Sequence, residues 1–138
     1  MTSAAGRYLF DTNAISDLMA EHPGMKTRVA GHQGRLVTSV IVQGEIYYGL
    51  ERLSVGKRRS DLTVKALLLF AALPAEPVAE PAGLLYARIR QDVEAKGLAM
   101  DDNDLWIAAS AMFLDAVLVT RDKDFTHVAG LSTEDWTM

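Results

Sequence analysis

Short apolar runs alternate along the chain with longer stretches whose apolar residues recur at helical spacing. That alternation predicts strands separated by amphipathic helices. Arg7-Tyr-Leu-Phe10 is the first such run, and it ends at Asp11-Thr-Asn13, where turn and capping residues take over. Ile15, Leu18 and Met19 then mark a helix with Thr12 or Asn13 as its N-cap. His22-Pro-Gly24 breaks it, and a second helix is expected from Met25 to Ala30, stopping near Gly31 and Gly34.

Leu36-Val-Thr38 reads as a second buried strand, followed by a helix capped at Thr38 or Ser39 with Val42, Ile46, Leu50 and Leu53 on one face. Leu62, Ala66, Leu69, Phe70 and Leu73 trace another helix, ended by Pro74. Glu76 to Ala79 is a weak edge strand. Pro81 suits the first position of a helix carrying Leu85, Ile89 and Val93, which Gly97 stops. Asp102 or Asn103 caps a helix through Leu105, Ala108, Ala109 and Met112, Ala116 to Val119 is the clearest strand, and Leu131 begins a last one. Strands joined through helices imply one three-layer α/β/α domain, residues 1–138, around a short, mainly parallel sheet.

Composition narrows the chemistry. The chain has 138 residues, 49% apolar and 23% charged, an ordinary globular balance. The N-terminal stretch lacks a signal-peptide pattern and no apolar run is long enough for a membrane helix, so a soluble, cytoplasmic protein is expected. The absence of cysteine excludes disulfides, thiolate zinc sites and cysteine nucleophiles. His22, His32 and His127 stand without metal-ligand or triad spacing and read as solvated loop residues, which leaves a serine hydrolase without its base. A net charge of −4 argues against a protein that wraps nucleic acid indiscriminately, and suits a carboxylate-rich site and a basic partner.

In an open parallel sheet, ligands sit beyond the carboxyl ends of the strands. Asp11 follows the first strand, Asp122 and Asp124 follow the strand ending at Val119, and Asp104 lies in the first turn of a helix. Glu45 falls between Val42 and Gly49, at the border of an apolar face, where an unpaired carboxylate would be costly. Gly44 and Gly49 each weaken that helix by roughly 1 kcal/mol relative to alanine, so close backbone approach is expected there. Gathered carboxylates need a cation, and oxygen ligands alone select Mg²⁺ or Mn²⁺. Taken singly, an aspartate after a strand is more often a cap, and Asp61, Asp92, Asp101, Asp115 and Asp135 are read that way.

Four segments carry a resemblance. Tyr8-Leu-Phe-Asp-Thr-Asn-Ala-Ile-Ser16 resembles the opening of PIN domains, and Ser39-Val-Ile-Val-Gln-Gly-Glu-Ile-Tyr-Tyr-Gly-Leu50 is similar to their second motif. Asn103-Asp-Leu-Trp-Ile-Ala-Ala109 and Leu118-Val-Thr-Arg-Asp-Lys-Asp-Phe125 look like the third and fourth, in the right order. In pattern the chain resembles the VapC-type toxins of bacterial toxin–antitoxin pairs. The resemblance implies a PIN-like fold and an Mg²⁺- or Mn²⁺-dependent endoribonuclease attacking structured RNA such as transfer or ribosomal RNA. It also implies a homodimer silenced by a cognate VapB-type antitoxin.

Carried over by position, the resemblance makes Asp11, Glu45, Asp104 and Asp122 the metal-binding acids, with Thr120 a supporting polar group and Asn13 orienting Asp11. Many relatives have Asn at the position of Asp122 and an acid further along, so Asp122 and Asp124 compete for the fourth place; Asp122 is favoured because it follows the strand sooner. Arg121 and Lys123 are placed either to meet RNA phosphates or simply to be solvated. Lys57-Arg-Arg59 reads as mostly surface solvation, and of Tyr47 and Tyr48 one is expected in the core and the other along a groove.

Two rivals are weakened by single positions. A haloacid-dehalogenase phosphatase needs a second acid where Asn13 stands. A receiver domain needs paired acids after its first strand and a lysine where Thr120 and Arg121 stand. A PIN-like binding module with a dead site would have lost acids, and none is lost here.

Overall fold

The computed structural model describes residues 6–138. A five-stranded sheet forms its middle layer, in the order β3-β2-β1-β4-β5: Tyr8–Phe10 (β1), Leu36–Ser39 (β2), Ala75–Glu76 (β3), Val117–Val119 (β4) and Thr133–Glu134 (β5). All four pairings are parallel. The crossovers are the six helices, Thr12–Met19 (α1), Pro23–Gly31 (α2), Val40–Glu51 (α3), Lys57–Ala72 (α4), Ala82–Ala95 (α5) and Asp102–Phe113 (α6). Parallel strands need such crossovers, and these cover the sheet.

The central strand is buried accordingly, with Leu9 and Phe10 fully enclosed. Val42, Ile46 and Leu50 of α3, and Leu105, Ile107, Ala108 and Ala109 of α6, pack into the same core. Enclosing each large aliphatic or aromatic side chain contributes about 1.5–3 kcal/mol. The chain builds outward from β1 to β2 and β3, then returns to place β4 and β5 on the other side of β1. Winding therefore reverses between β1 and β4, where a crevice opens beyond the strand ends.

Several boundaries differ from the sequence reading. Asp11, not Thr12 or Asn13, caps α1, and Asp101, not Asp102 or Asn103, caps α6. Ser39 caps α3 as one of the two expected candidates. The weak strand lies at Ala75–Glu76 and the last one at Thr133–Glu134, and a 3₁₀ turn over Lys123–His127 has no apolar periodicity to announce it.

Two histidines are also misread as solvated. The His22 ring accepts the Gly24 and Met25 N–H groups and so caps α2. His32 stacks on Trp136 with ring centroids 4.8 Å apart and meets Tyr8 edge-on. Trp136, only 1% exposed, also packs against Phe10, so the end of the chain is fastened beneath the first strand. No helix is long and apolar enough to cross a membrane, among the described residues.

Candidate active site

Register between β1 and β4 fixes the first two groups. Phe10 pairs with Val119, so Asp11 and Thr120 leave the sheet side by side. Asp11 is 3% exposed, and its Oδ1 accepts the Ala14 N–H at 2.8 Å as the cap of α1. The buried Thr120 hydroxyl lies beside Asp11, favouring its charged form, and accepts the Asp122 N–H at 2.9 Å. Asp122 in turn accepts the Asp124 N–H at 2.9 Å, capping the 3₁₀ turn. Ala14 and Thr120 thus hold Asp11, where Asn13 was expected to orient it.

Glu45 reaches the same place from the middle of α3. Its Oε1 accepts the Thr12 hydroxyl, and its Oε2 accepts the Asn103 side-chain amide at 3.3 Å. Thr12 opens α1 directly after Asp11, and Asn103 precedes Asp104 in the first turn of α6. The half-buried position at the rim of the apolar face, expected from helical phase, is where Glu45 stands.

Electrostatics tie the acids together. Burial pushes the Asp11 carboxyl up to about 6, and the Asp122 charge adds to that, while bonds from Thr120 and Ala14 and the Arg121 charge oppose it. Asp104 is pushed up to about 7, first by burial and then by the charges of Asp101, Asp122, Glu45 and Asp11. Three of the predicted acids thus act on the fourth, Asp104. Asp122 raises both Asp11 and Asp104, whereas Asp124 is exposed and figures in neither.

Among the described residues, no three acids or histidines stand close enough to form a ready-made ligand cage. The donor set is all oxygen, and Mg²⁺ usually keeps several waters and takes only one or two carboxylates directly. The carboxylates of Asp11, Glu45, Asp104 and Asp122 could thus meet a hydrated ion only in part through its waters.

Beside Glu45 lies a groove of about 660 Å³ whose lining also includes Thr12, Tyr48, Arg52, Asp101 and Asn103. Tyr48 is 65% exposed beside Arg52, whereas Tyr47 packs on Phe70, which divides the two tyrosines as expected. Gly44 and Gly49 also line the groove, but a Cβ at either would meet nothing within 4 Å. The expected close backbone approach is absent; the two glycines leave the wall of the groove bare.

The basic residues divide too. Arg121 is held by Asp17, Nε to Oδ2 at 2.9 Å, while Lys123 is exposed. Lys57 pairs with Asp61 and Arg59 with Glu51, in keeping with surface solvation.

Sequence reasoning overlooked Thr12, Asn103 and Asp101 as members of this site. Each looked sufficiently explained as a helix-start residue. The available signal was Glu45 itself: a half-buried carboxylate needs donors, though the pattern does not say which distant segments supply them.

The family model described as "PIN domain" matches residues 8–131. Ribonuclease VapC1 of Haemophilus influenzae is 30% identical over 139 aligned positions, covering 94% of this chain and 98% of that protein. Among solved structures, VapBC-1 of nontypeable Haemophilus influenzae superimposes with a TM-score of 0.82 at 27% identity, covering 95% of this chain and 98% of its counterpart. VapBC2 of Rickettsia felis, bound to a DNA fragment from its promoter, gives 0.82 at 26% identity, covering 94% and 98%.

Proposed function

Since the chain belongs to the PIN-domain family and is of the VapC type, we propose that it is a Mg²⁺-dependent endoribonuclease, with Mn²⁺ as substitute. It is the toxin of a toxin–antitoxin pair and hydrolyses phosphodiester bonds in structured RNA such as transfer or ribosomal RNA. The observation that carries this reading is the shared field of Asp11, Glu45, Asp104 and Asp122 at one sheet edge, felt most strongly at Asp104.

In this reading Asp11, Glu45, Asp104 and Asp122 hold the ion, directly or through its waters. A bound Mg²⁺ supplies a water of lowered pKa and stabilises charge on the phosphoryl oxygens. The protein's own part is positional. Thr120 fixes Asp11, Thr12 and Asn103 fix Glu45, and the cap of α6 presents Asp104. The bare groove beside Tyr48 and Arg52 admits an RNA strand, with a π face and a guanidinium available for stacking. Lys123 meets a phosphate at its mouth, and Arg121, already held by Asp17, contributes less.

Partners follow from the same reading. Solved relatives are VapBC complexes, and we assign this chain a VapB-type antitoxin, a homodimeric state and a place in the cytoplasm, where its RNA is.

The test is cleavage of total cellular RNA by purified protein, with cut ends mapped. Cutting that requires Mg²⁺ or Mn²⁺, stops with EDTA and is lost in Asp11→Asn supports the assignment. Undiminished cutting in EDTA, or in that variant, rejects it.

A further inference from the structure

We propose that Thr12 and Asn103 form a clasp on Glu45 that sets the ion preference of the site, favouring Mg²⁺ over Ca²⁺. The inference rests on the metal-dependent reading above and goes beyond it by assigning a role to two residues that are not themselves ligands.

Both carboxylate oxygens of Glu45 are engaged, one by the Thr12 hydroxyl and the other by the Asn103 amide. Thr12 is joined by a peptide bond to Asp11 and Asn103 to Asp104. The segments that carry the two raised carboxyls therefore also grip the third acid, and three helices, α1, α3 and α6, converge on one side chain. Little else restrains Glu45. It lines an open groove, and the neighbouring Gly44 and Gly49 bring no side chain to buttress it. Without the clasp a glutamate with three rotatable torsions would sample several positions.

That restraint bears on the ion. Mg²⁺ demands near-octahedral geometry with ligands at about 2.0–2.1 Å, so a fixed donor helps it. Ca²⁺ takes more ligands in flexible arrangements and often binds both oxygens of one carboxylate. A carboxylate hydrogen-bonded at each oxygen is poorly disposed to turn both of them onto a single ion. The clasp therefore favours one-oxygen coordination of the smaller cation. Thr12 and Asn103 are positioning residues in this scheme.

The full-length chain is titrated with Mg²⁺ and separately with Ca²⁺ by calorimetry, as wild type, Thr12→Val, Thr12→Ser and Asn103→Ala. Asn103 is exposed, so its variant folds even if Thr12→Val does not. The expected result is Mg²⁺ affinity weakened by about tenfold in Thr12→Val and Asn103→Ala, Ca²⁺ affinity unchanged or tighter, and recovery in Thr12→Ser. A folded Asn103→Ala with wild-type Mg²⁺ affinity overturns the clasp, as does equal weakening for both ions. Wild-type protein that binds neither ion instead overturns the metal-dependent reading, and the clasp with it.

Discussion

Thr120 leaves the sheet beside Asp11, at the seam where two parallel strands end together, and its hydroxyl favours the charged form of that carboxyl. It opposes burial, which alone would push the Asp11 pKa higher still. Removing it in Thr120→Val leaves a buried carboxylate short of a donor, and a hydrogen bond to a charged group is worth about 1.5–3 kcal/mol. We expect a loss of that order in urea unfolding at neutral pH. The acid limb of the cleavage profile should also move to higher pH, because Asp11 would then ionise later. An unchanged acid limb contradicts the role given to Thr120.

Asp104 and Asp11 have raised folded-state values, about 7 and about 6, against 3.8 for an ordinary aspartate. Their ionised forms are disfavoured by folding. Metal-free protein therefore loses stability as pH rises from about 4 through 7, and the loss is complete above the folded values. Asp104→Asn abolishes its share. In EDTA, the thermal midpoint of Asp104→Asn should exceed that of wild type at pH 8 and match it at pH 4.

Addition of Mg²⁺ should reverse the sign of that cost. An ion that binds only the folded, ionised site stabilises by mass action, so saturating Mg²⁺ raises the wild-type midpoint at pH 8 and has little effect at pH 5, where protons compete. Differential scanning fluorimetry at the two pH values decides this; a rise of equal size at both would show binding elsewhere.

Lys123 and Arg121 should differ in RNA binding. Arg121 already donates to Asp17, whereas Lys123 is exposed. In a catalytically silent Asp11→Asn background, Lys123→Ala lowers the salt slope of RNA affinity by about one, and Arg121→Ala by less. The reverse order would mean that Arg121 leaves Asp17 when RNA binds.

Gly24 lies against the end of the chain. A Cβ there would come within 2.8 Å of the Trp136 carbonyl oxygen, a backbone atom that cannot step aside cheaply. Gly24→Ala should cost about 1–3 kcal/mol, measured by chemical denaturation, with cleavage per folded molecule preserved.

The sequence reading reached the layers of the fold because periodicity and strand-end acids are local signals. The phase of α3 placed Glu45 at the rim of the core, and the brevity of Ala116 to Val119 marked a buried strand. Caps are harder to read: the pattern marks Asp11 as a site residue and Thr12 or Asn13 as the cap, although the Asp11 carboxylate itself caps α1. His32 was read as solvated because nothing near it in sequence announces Trp136, which arrives only with the last strand. The contacts of Thr12 and Asn103 with Glu45 are hidden for the same reason. Their significance lies in a contact between segments far apart in the chain.

Because β1 is the middle strand and its partner β4 lies far along the chain, the pocket cannot form on a growing polypeptide until β4 has been made. Asp11 leaves the ribosome well before Thr120 and Asp122 and waits without them beside it. Such distant pairing also slows folding. A nascent chain that has not yet reached β4 therefore lacks the assembled group of acids, even with Asp11, Glu45 and Asp104 already made.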